Sequence, residues 1–166
     1  MTTTFRYPII RKSLIIDDNL ITGKILSKIL TKEFNHHVTL ISSGSEALNI
    51  LSQHHYDLVF MDIDMLELSG IETSIKIRNS TIIIEKNRGI PIFAYTTNKL
   101  KKDCLNAGIV NNGYISKPTS SDKVQTVIEN FYETKLNSLL SLLALRLIID
   151  TFVQFAFLSF LYTYYL

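Results

Sequence analysis

The sequence contains little cysteine and little net charge. Cys104 is the single cysteine among 166 residues, so no disulfide forms within the chain and a reducing compartment is favoured. The formal net charge is +2, which gives no electrostatic case for binding nucleic acid. The opening residues, MTTTFRYPIIRKS, lack the apolar stretch of a secretory signal. These features predict a cytoplasmic protein, with the nucleus as the alternative.

Short apolar runs alternate with segments whose apolar residues recur at helical spacing. The predicted strands are 14–16, 38–41, 58–64, 90–95 and 113–116. A helix is predicted after each strand, the third over residues 70 to about 84 and the fifth from about Ser120. Near-continuous apolar strands that alternate with helices predict a parallel sheet covered on both faces. Right-handed crossovers favour a flavodoxin-like, doubly wound (βα)5 α/β fold with strand order 2-1-3-4-5.

Two of these predicted strands end in aspartate. Asp17 and Asp18 follow the first strand, and Asp62 lies within the run LVFMDID of the third. In such sheets the ligand lies beyond the carboxyl ends of the strands, at the switch point between strands 1 and 3. We therefore expect the three carboxylates to meet. Because ionised carboxylates repel one another, the cluster predicts a hard divalent cation, Mg²⁺.

Two further polar side chains are predicted to reach the same crevice. Thr96 follows strand 4 and offers a hydroxyl, and Lys117 follows strand 5 and offers an ammonium group. Together with the acids they suit a transferred phosphoryl group. Asp62 is the natural nucleophile and would become an aspartyl-phosphate. Lys117 and Mg²⁺ would neutralise the phosphoryl oxygens, and Thr96 would bond one of them.

The acid pair, the aspartate after LVFM, the threonine after IFAY and the Lys-Pro after GYIS together resemble the receiver domain of two-component response regulators. The likeness covers residues 12 to about 132. It implies a phosphoryl acceptor supplied by a histidine phosphotransfer protein or a histidine kinase, and a signalling protein rather than an enzyme. The insert NSTIIIEKNRG before strand 4 resembles fungal regulators, most of all the small stress response regulators of yeasts.

The resemblance also implies roles for individual residues. Asp18 and Asp62 would bind Mg²⁺ through their side chains, Asp64 through its backbone carbonyl, and Asp17 through water. Tyr114 matches the aromatic residue that reorients with the threonine on phosphorylation. Without the resemblance, the acid pair could instead cap the first helix, and Tyr114 could be a half-buried core residue.

Two positions depart from the pattern of the family. Met65-Leu66 stands where receivers usually carry Met-Pro, so the loop after Asp62 is expected to be less rigid. Thr97 stands where Ala or Gly is usual, and its bulk would slow donor access or dephosphorylation. Neither change removes a chemical group that phosphoryl transfer needs.

Two other functions compete with the receiver. LVFMDIDM also resembles the first motif of haloacid-dehalogenase-type phosphatases, in which Asp62 would be the nucleophile and Asp64 the acid–base. That family places the motif on its first strand and needs an acidic pair after the lysine, but no such pair follows Lys117. The other alternative is a pseudo-receiver, a binding module that never takes phosphate.

Four histidines occur as two adjacent pairs, His36-His37 and His54-His55. Adjacent residues on a helix or strand do not share a face, so the pairs are poor metal ligands. We expect all four to be solvated.

The predicted domains are a lead of residues 1–11, a receiver of residues 12–137 and a hydrophobic helical extension of residues 138–166. Residues 139–166 are long enough to cross a bilayer if Arg146 and Asp150, four residues apart, are tolerated. The tyrosines near the end suit a membrane interface. The alternatives are a helix packed on the domain or on a partner, and a tail with little selected function.

No DNA-binding or kinase motif is recognisable beside the receiver, which predicts a stand-alone regulator. Its output would pass through the face that this family uses, formed by the fourth helix, fifth strand and fifth helix. Here that face comprises residues 99–107, Tyr114 and the residues from Ser120 onward.

Overall fold

The computed structural model describes residues 11–97, 101–109 and 113–165. The chain divides into two compact units, Met1–Ile128 and Glu129–Leu166. Residues 1–10 of the predicted lead, residues 99–100 of the predicted fourth helix and residue 166 of the predicted extension lie outside the described residues. The domain boundary predicted at residues 137/138 stays a prediction.

The first unit contains a five-stranded parallel sheet with the order β2-β1-β3-β4-β5. This order confirms the flavodoxin-like prediction. In chain order the elements are β1 Arg11–Ile16, α1 Leu20–Phe34, β2 His36–Ile41, α2 Gly44–Gln53, β3 Leu58–Met61, α3 Gly70–Asn79, α4 Glu85–Arg88, β4 Ile92–Thr96, α5 Lys101–Asn106, β5 Tyr114–Ser116 and α6 Ser121–Tyr165.

The central strands β3 and β4 are buried along their whole length. This burial explains why their sequences are continuously apolar rather than alternating. Phe60 and Phe93 lie opposite each other in the register of the two strands, and their rings stack with centroids 5.4 Å apart. The core therefore fixes the strand ends from which the polar site projects.

Local capping explains where several helices begin and end. The Asn19 side chain accepts hydrogen bonds from the backbone N–H groups of Ile21 and Thr22, so it caps α1. Ser69 and Glu72 form a capping box at the start of α3. Gly108 follows α5 with φ of 73°, a left-handed conformation that suits glycine after the end of a helix.

The predicted third helix is too long, because α3 ends at Asn79 and the insert forms the separate helix α4. Ser80 adopts an extended conformation after α3, and the β-branched run 81–84 that follows has low helix propensity. The buried Asn87 of α4 donates to the carbonyls of Leu51 and His54. The insert is therefore fastened to the connection between α2 and β3.

The prediction that all four histidines are solvated is wrong for His36. This residue begins β2, is buried, and shares a 2.7 Å hydrogen bond with Ser13 Oγ. Burial, with repulsion from Arg11, lowers the pKa of His36 to about 4. His37 is exposed, as expected for the opposite face of a strand.

The second unit is helical and contains most of α6. Its described apolar side chains from Leu136 onward are exposed, including Leu142, Ile148 and Phe152. Within the part of the chain that the structure describes, one helix is long and apolar enough to cross a membrane by length and composition. The predicted hydrophobic helical extension is thus confirmed as a helix.

Candidate functional site

The site lies where three strands of the sheet end. Asp17 follows β1, Asp62 follows β3 and Lys117 follows β5. Lys117 Nζ lies 2.6 Å from Asp62 Oδ2 and 2.9 Å from Asp17 Oδ2. Asp17 is fully buried and Asp62 is 6% exposed. One ammonium group therefore bridges two carboxylates that are largely withdrawn from water.

Asp18 completes a cluster of three acids with Asp17 and Asp62. One carboxylate oxygen of each lies within 4.8 Å of the others. Helix capping does not explain the acid pair, because Asn19 caps α1. An all-oxygen set with one exposed member suits Mg²⁺, which binds few carboxylates and retains water. The residues present therefore fit the predicted cation.

Asp17 also accepts hydrogen bonds at the start of α1. Its Oδ1 accepts from the backbone N–H of Asn19 at 3.0 Å, and its Oδ2 accepts from Thr22 Oγ1 at 2.7 Å. Lys117 contacts the same Oδ2. Asp17 is thus held from several sides, and Asp18 is the exposed member of the pair. The binding of Mg²⁺ by Asp17 through water stays a prediction.

The backbone around Asp62 is held from both sides. Asp62 N–H donates to the Ile16 carbonyl at 2.8 Å, and Asp64 N–H donates to Asp62 Oδ1 at 3.2 Å. A Cβ on Gly70, the first residue of α3, would lie 2.1 Å from the Asp62 carbonyl oxygen. Sequence reasoning gave Gly70 no role in the site, although its absent side chain lets α3 approach the acceptor loop.

Thr96 and Tyr114 are linked in this structure, and Asp64 takes part through its side chain. Thr96 Oγ1 donates to Asp64 Oδ2 at 3.0 Å, and Tyr114 OH donates to the Thr96 carbonyl at 3.3 Å. Burial raises the pKa of Tyr114, with smaller effects from Cys104 and Asp64. The resemblance to receivers implied only a backbone role for Asp64.

Tyr95 is a second neighbour of the site that sequence reasoning missed. Lys117 Nζ lies 4.8 Å from the centroid of its ring, and Tyr95 OH donates to the Thr22 carbonyl at 3.1 Å. Burial and the charges of Asp17 and Asp62 raise the pKa of Tyr95 to about 12. The period of two along β4 could not have indicated it, because it places Tyr95 and Thr96 on opposite faces of the sheet.

Residues 13–129 match the family described as "Response regulator receiver domain". The chain belongs to the response regulator receiver family. Receivers are modules of two-component signalling rather than enzymes that turn over a substrate, and the predicted family is confirmed. Membership places LVFMDID in a receiver rather than in a haloacid-dehalogenase-type phosphatase.

Relatives of this receiver include "Stress response regulator protein 1" of Scheffersomyces stipitis, which is 31% identical over 129 residues. That alignment covers 73% of this chain and 43% of the relative. "Hybrid signal transduction histidine kinase K" of Dictyostelium discoideum is 35% identical over 137 residues, covering 79% of this chain and 11% of the kinase. The chain thus spans less than half the length of these relatives.

Solved receivers share the fold. The receiver domain of a sensor histidine kinase from Pseudomonas aeruginosa, crystallised with a magnesium ion in its active-site cleft, matches with a TM-score of 0.62 and 27% identity. The match covers 74% of this chain and 97% of that domain. The receiver of Ssk1 of Saccharomyces cerevisiae, solved with the phosphotransfer protein Ypd1, matches with a TM-score of 0.59 and 29% identity. It covers 70% of this chain and 84% of that one.

The structure connects the predicted residues of this receiver in two groups. Asp17, Asp18, Asp62 and Lys117 form the charged cluster. Asp64, Thr96 and Tyr114 form a chain of hydrogen bonds that begins at Asp62, through the Asp64 N–H. The individual chemical roles given to these residues stay predictions.

Proposed function

We propose that this receiver accepts a phosphoryl group on Asp62 in a histidine-to-aspartate phosphorelay. The bridge from Lys117 Nζ to Asp62 and Asp17 supports the proposal most directly. It sets a cation against the acceptor oxygen, where the negative charge of a phosphoryl group would arrive.

The proposed reaction is a direct displacement at phosphorus. An Asp62 carboxylate oxygen forms the new O–P bond as the P–N bond of a phosphohistidine breaks, and the imidazole leaves with the electron pair and takes a proton. Lys117 stays beside the transferred group. Asp18 and Asp62 would hold Mg²⁺ through their side chains, Asp64 through its carbonyl and Asp17 through water. The cation, when bound, supplies charge neutralisation at the phosphoryl oxygens.

The proposed switch starts at Thr96. Its hydroxyl donates to Asp64 Oδ2 in this structure, so it must leave Asp64 to donate to a phosphoryl oxygen. Tyr114 would respond, because its hydroxyl donates to the Thr96 carbonyl. The change would be read on the surface that carries α5, β5 and the start of α6.

The proposed donor is a histidine phosphotransfer protein or a histidine kinase. The likeness to the Ssk1 receiver, which was solved with the phosphotransfer protein Ypd1, supports this kind of donor. The likeness to a stress response regulator supports a role in stress signalling. Action in the cytoplasm or nucleus, and as a stand-alone regulator, remain parts of the same proposal.

A pseudo-receiver is the second candidate, favoured by the low exposure of Asp62 and by the bulk of Thr97, a position where receivers usually carry Ala or Gly. Asp62 is 6% exposed, and Thr97 lies on the surface directly after the switch threonine. A donor must therefore reach a carboxylate with little open surface.

The test is intact-mass analysis of the full chain after incubation with Mg²⁺ and acetyl phosphate. We expect a gain of one phosphoryl group, lost in Asp62→Asn and in EDTA but kept in Asp57→Asn. Asp57 is a suitable control because it is a partly exposed carboxylate before β3, at the opposite end of that strand. No gain in a folded wild-type chain would overturn the proposal in favour of the pseudo-receiver.

A further inference from the structure

The apolar part of α6 begins at Leu136. Its side chains are exposed around the whole circumference of the helix over residues 136–156, where the structure describes them. Consecutive residues of a helix point about 100° apart, since one turn contains 3.6 residues. Leu147, Ile148 and Ile149 are consecutive and are 67%, 54% and 52% exposed. Apolar exposure in every direction excludes an ordinary amphipathic surface helix, which has one apolar face.

Such a helix needs an apolar partner on all sides. A second copy of the chain in a two-stranded coiled coil would cover only the seam positions, two residues in seven. Phe152 and Phe155, which are 73% and 76% exposed, would add large aromatic surfaces to any face left uncovered. A lipid bilayer surrounds a helix completely and meets this requirement.

The charges along α6 define which residues could enter hydrocarbon. Most of them precede Leu136, and Arg146 and Asp150 are the two that follow. Residues 147–165 contain one charged residue, Asp150, which lies in the first turn of this segment. As a helix these residues extend about 28 Å, close to the thickness of a bilayer core. The other end carries Tyr162, Tyr164 and Tyr165, a residue type enriched at membrane interfaces.

We propose that residues 147–165 form a transmembrane anchor that tethers the receiver domain to a lipid bilayer. Arg146 and Lys135 precede the span on the side of the receiver. By the positive-inside rule, the receiver lies on the cytosolic side. The inference does not depend on phosphorylation of Asp62.

The test is synthesis of the full chain in a cell-free system with phosphatidylcholine vesicles, followed by flotation in alkaline carbonate. We expect the wild type to float with the vesicles. Phe152→Arg/Phe155→Arg places two charges near the middle of the span and is expected to abolish flotation. Leu136→Arg/Leu139→Arg is the matched control, with the same spacing on exposed positions before the span, and is expected to float.

Three outcomes would overturn the proposal. The wild type could stay in the soluble fraction as a defined oligomer, which would indicate that the apolar helices of several copies pack against one another. Both arginine variants could float equally, which would indicate adsorption or aggregation. The control could fail to float while Phe152→Arg/Phe155→Arg still floats, which would place the apolar contact before residue 147.

Protease added outside the vesicles tests the orientation. It should digest the receiver and leave a protected fragment.

Discussion

At the scale of single residues, Lys117 is the cation that contacts the acidic cluster. Its ammonium group contacts Asp17 and Asp62, two carboxylates that are nearly inaccessible to water. One positive charge therefore offsets two negative charges, and Asp18 adds a third at the surface. Leaving a buried charge uncompensated is costly, so the excess of negative charge favours a bound cation. The magnesium proposal follows from this imbalance.

The buried His36 is expected to make the free energy of unfolding depend on pH. Its pKa is about 4 in the folded chain and about 6.5 in an unfolded chain. Between these values the unfolded state binds more protons, so stability is lost as the pH falls from about 6.5 towards 4. From pH 7 to pH 5 the free energy of unfolding is expected to fall by up to about 2 kcal/mol through this group.

Urea unfolding of the full chain at pH 7 and pH 5 measures this loss. His36→Gln should remove the contribution of the group, so the variant should lose less stability than the wild type over the same interval. His37→Gln is the control, because His37 is the exposed neighbour. If the wild type and His36→Gln lose equal stability, the buried histidine does not carry the effect.

At the scale of elements, the start of α3 is pressed against the end of β3. Gly70 N–H donates to the Ile63 carbonyl at 3.0 Å, and an added Cβ would meet the Asp62 carbonyl oxygen and Met61 Cγ. Backbone oxygen cannot rotate away as a side chain can. The position of Asp62 therefore depends on a glycine eight residues later.

Gly70→Ala is expected to destabilise the domain by about 1–3 kcal/mol, as overpacking does, and to reduce phosphorylation of Asp62. Gly89→Ala is the matched control, because an added Cβ there meets no atom within 4 Å. Its stability should change by no more than about 0.5 kcal/mol. Urea unfolding and intact mass measure the two effects; normal stability with full phosphorylation in Gly70→Ala would contradict the argument.

The elements also show which features a sequence can predict. The strands and the acids at their ends were predictable, because continuous apolar runs indicate buried parallel strands whose carboxyl ends share one edge. The end of α3 and the helix α4 were not, since Asn87 owes its place to carbonyls 36 and 33 residues earlier. The burial of His36 and the side-chain role of Asp64 likewise depend on distant partners, Ser13 and Thr96.

At the scale of the whole molecule, the site joins parts that are far apart in sequence. Lys117 connects the ends of β1, β3 and β5, and Asp62 N–H ties the end of β3 to Ile16 of β1. A ligand that binds these ends together binds the folded domain and not the unfolded chain. Its free energy of binding then adds to the stability of the fold.

Mg²⁺ is therefore expected to raise the urea midpoint of the full chain. At a concentration 100 times its Kd the gain would be about 2.7 kcal/mol. Asp18→Asn should lose most of this increment, and Asp57→Asn should keep it, since Asp57 lies before β3, at the other end of that strand. Equal midpoints in MgCl₂ and EDTA for the wild type would contradict the assignment of the cluster to a cation.

The bond from Thr96 to Asp64 sets a limit on how far phosphorylation can drive the proposed switch. The hydroxyl already donates to a carboxylate, so a phosphoryl oxygen must compete with an anion for it. A hydrogen bond to a charged group contributes about 1.5–3 kcal/mol, but only the difference between two such bonds is available here. The equilibrium of the switch would then depend on two acceptors of the Thr96 hydroxyl, and a change at Asp64 would shift it as much as a change at the phosphoryl group.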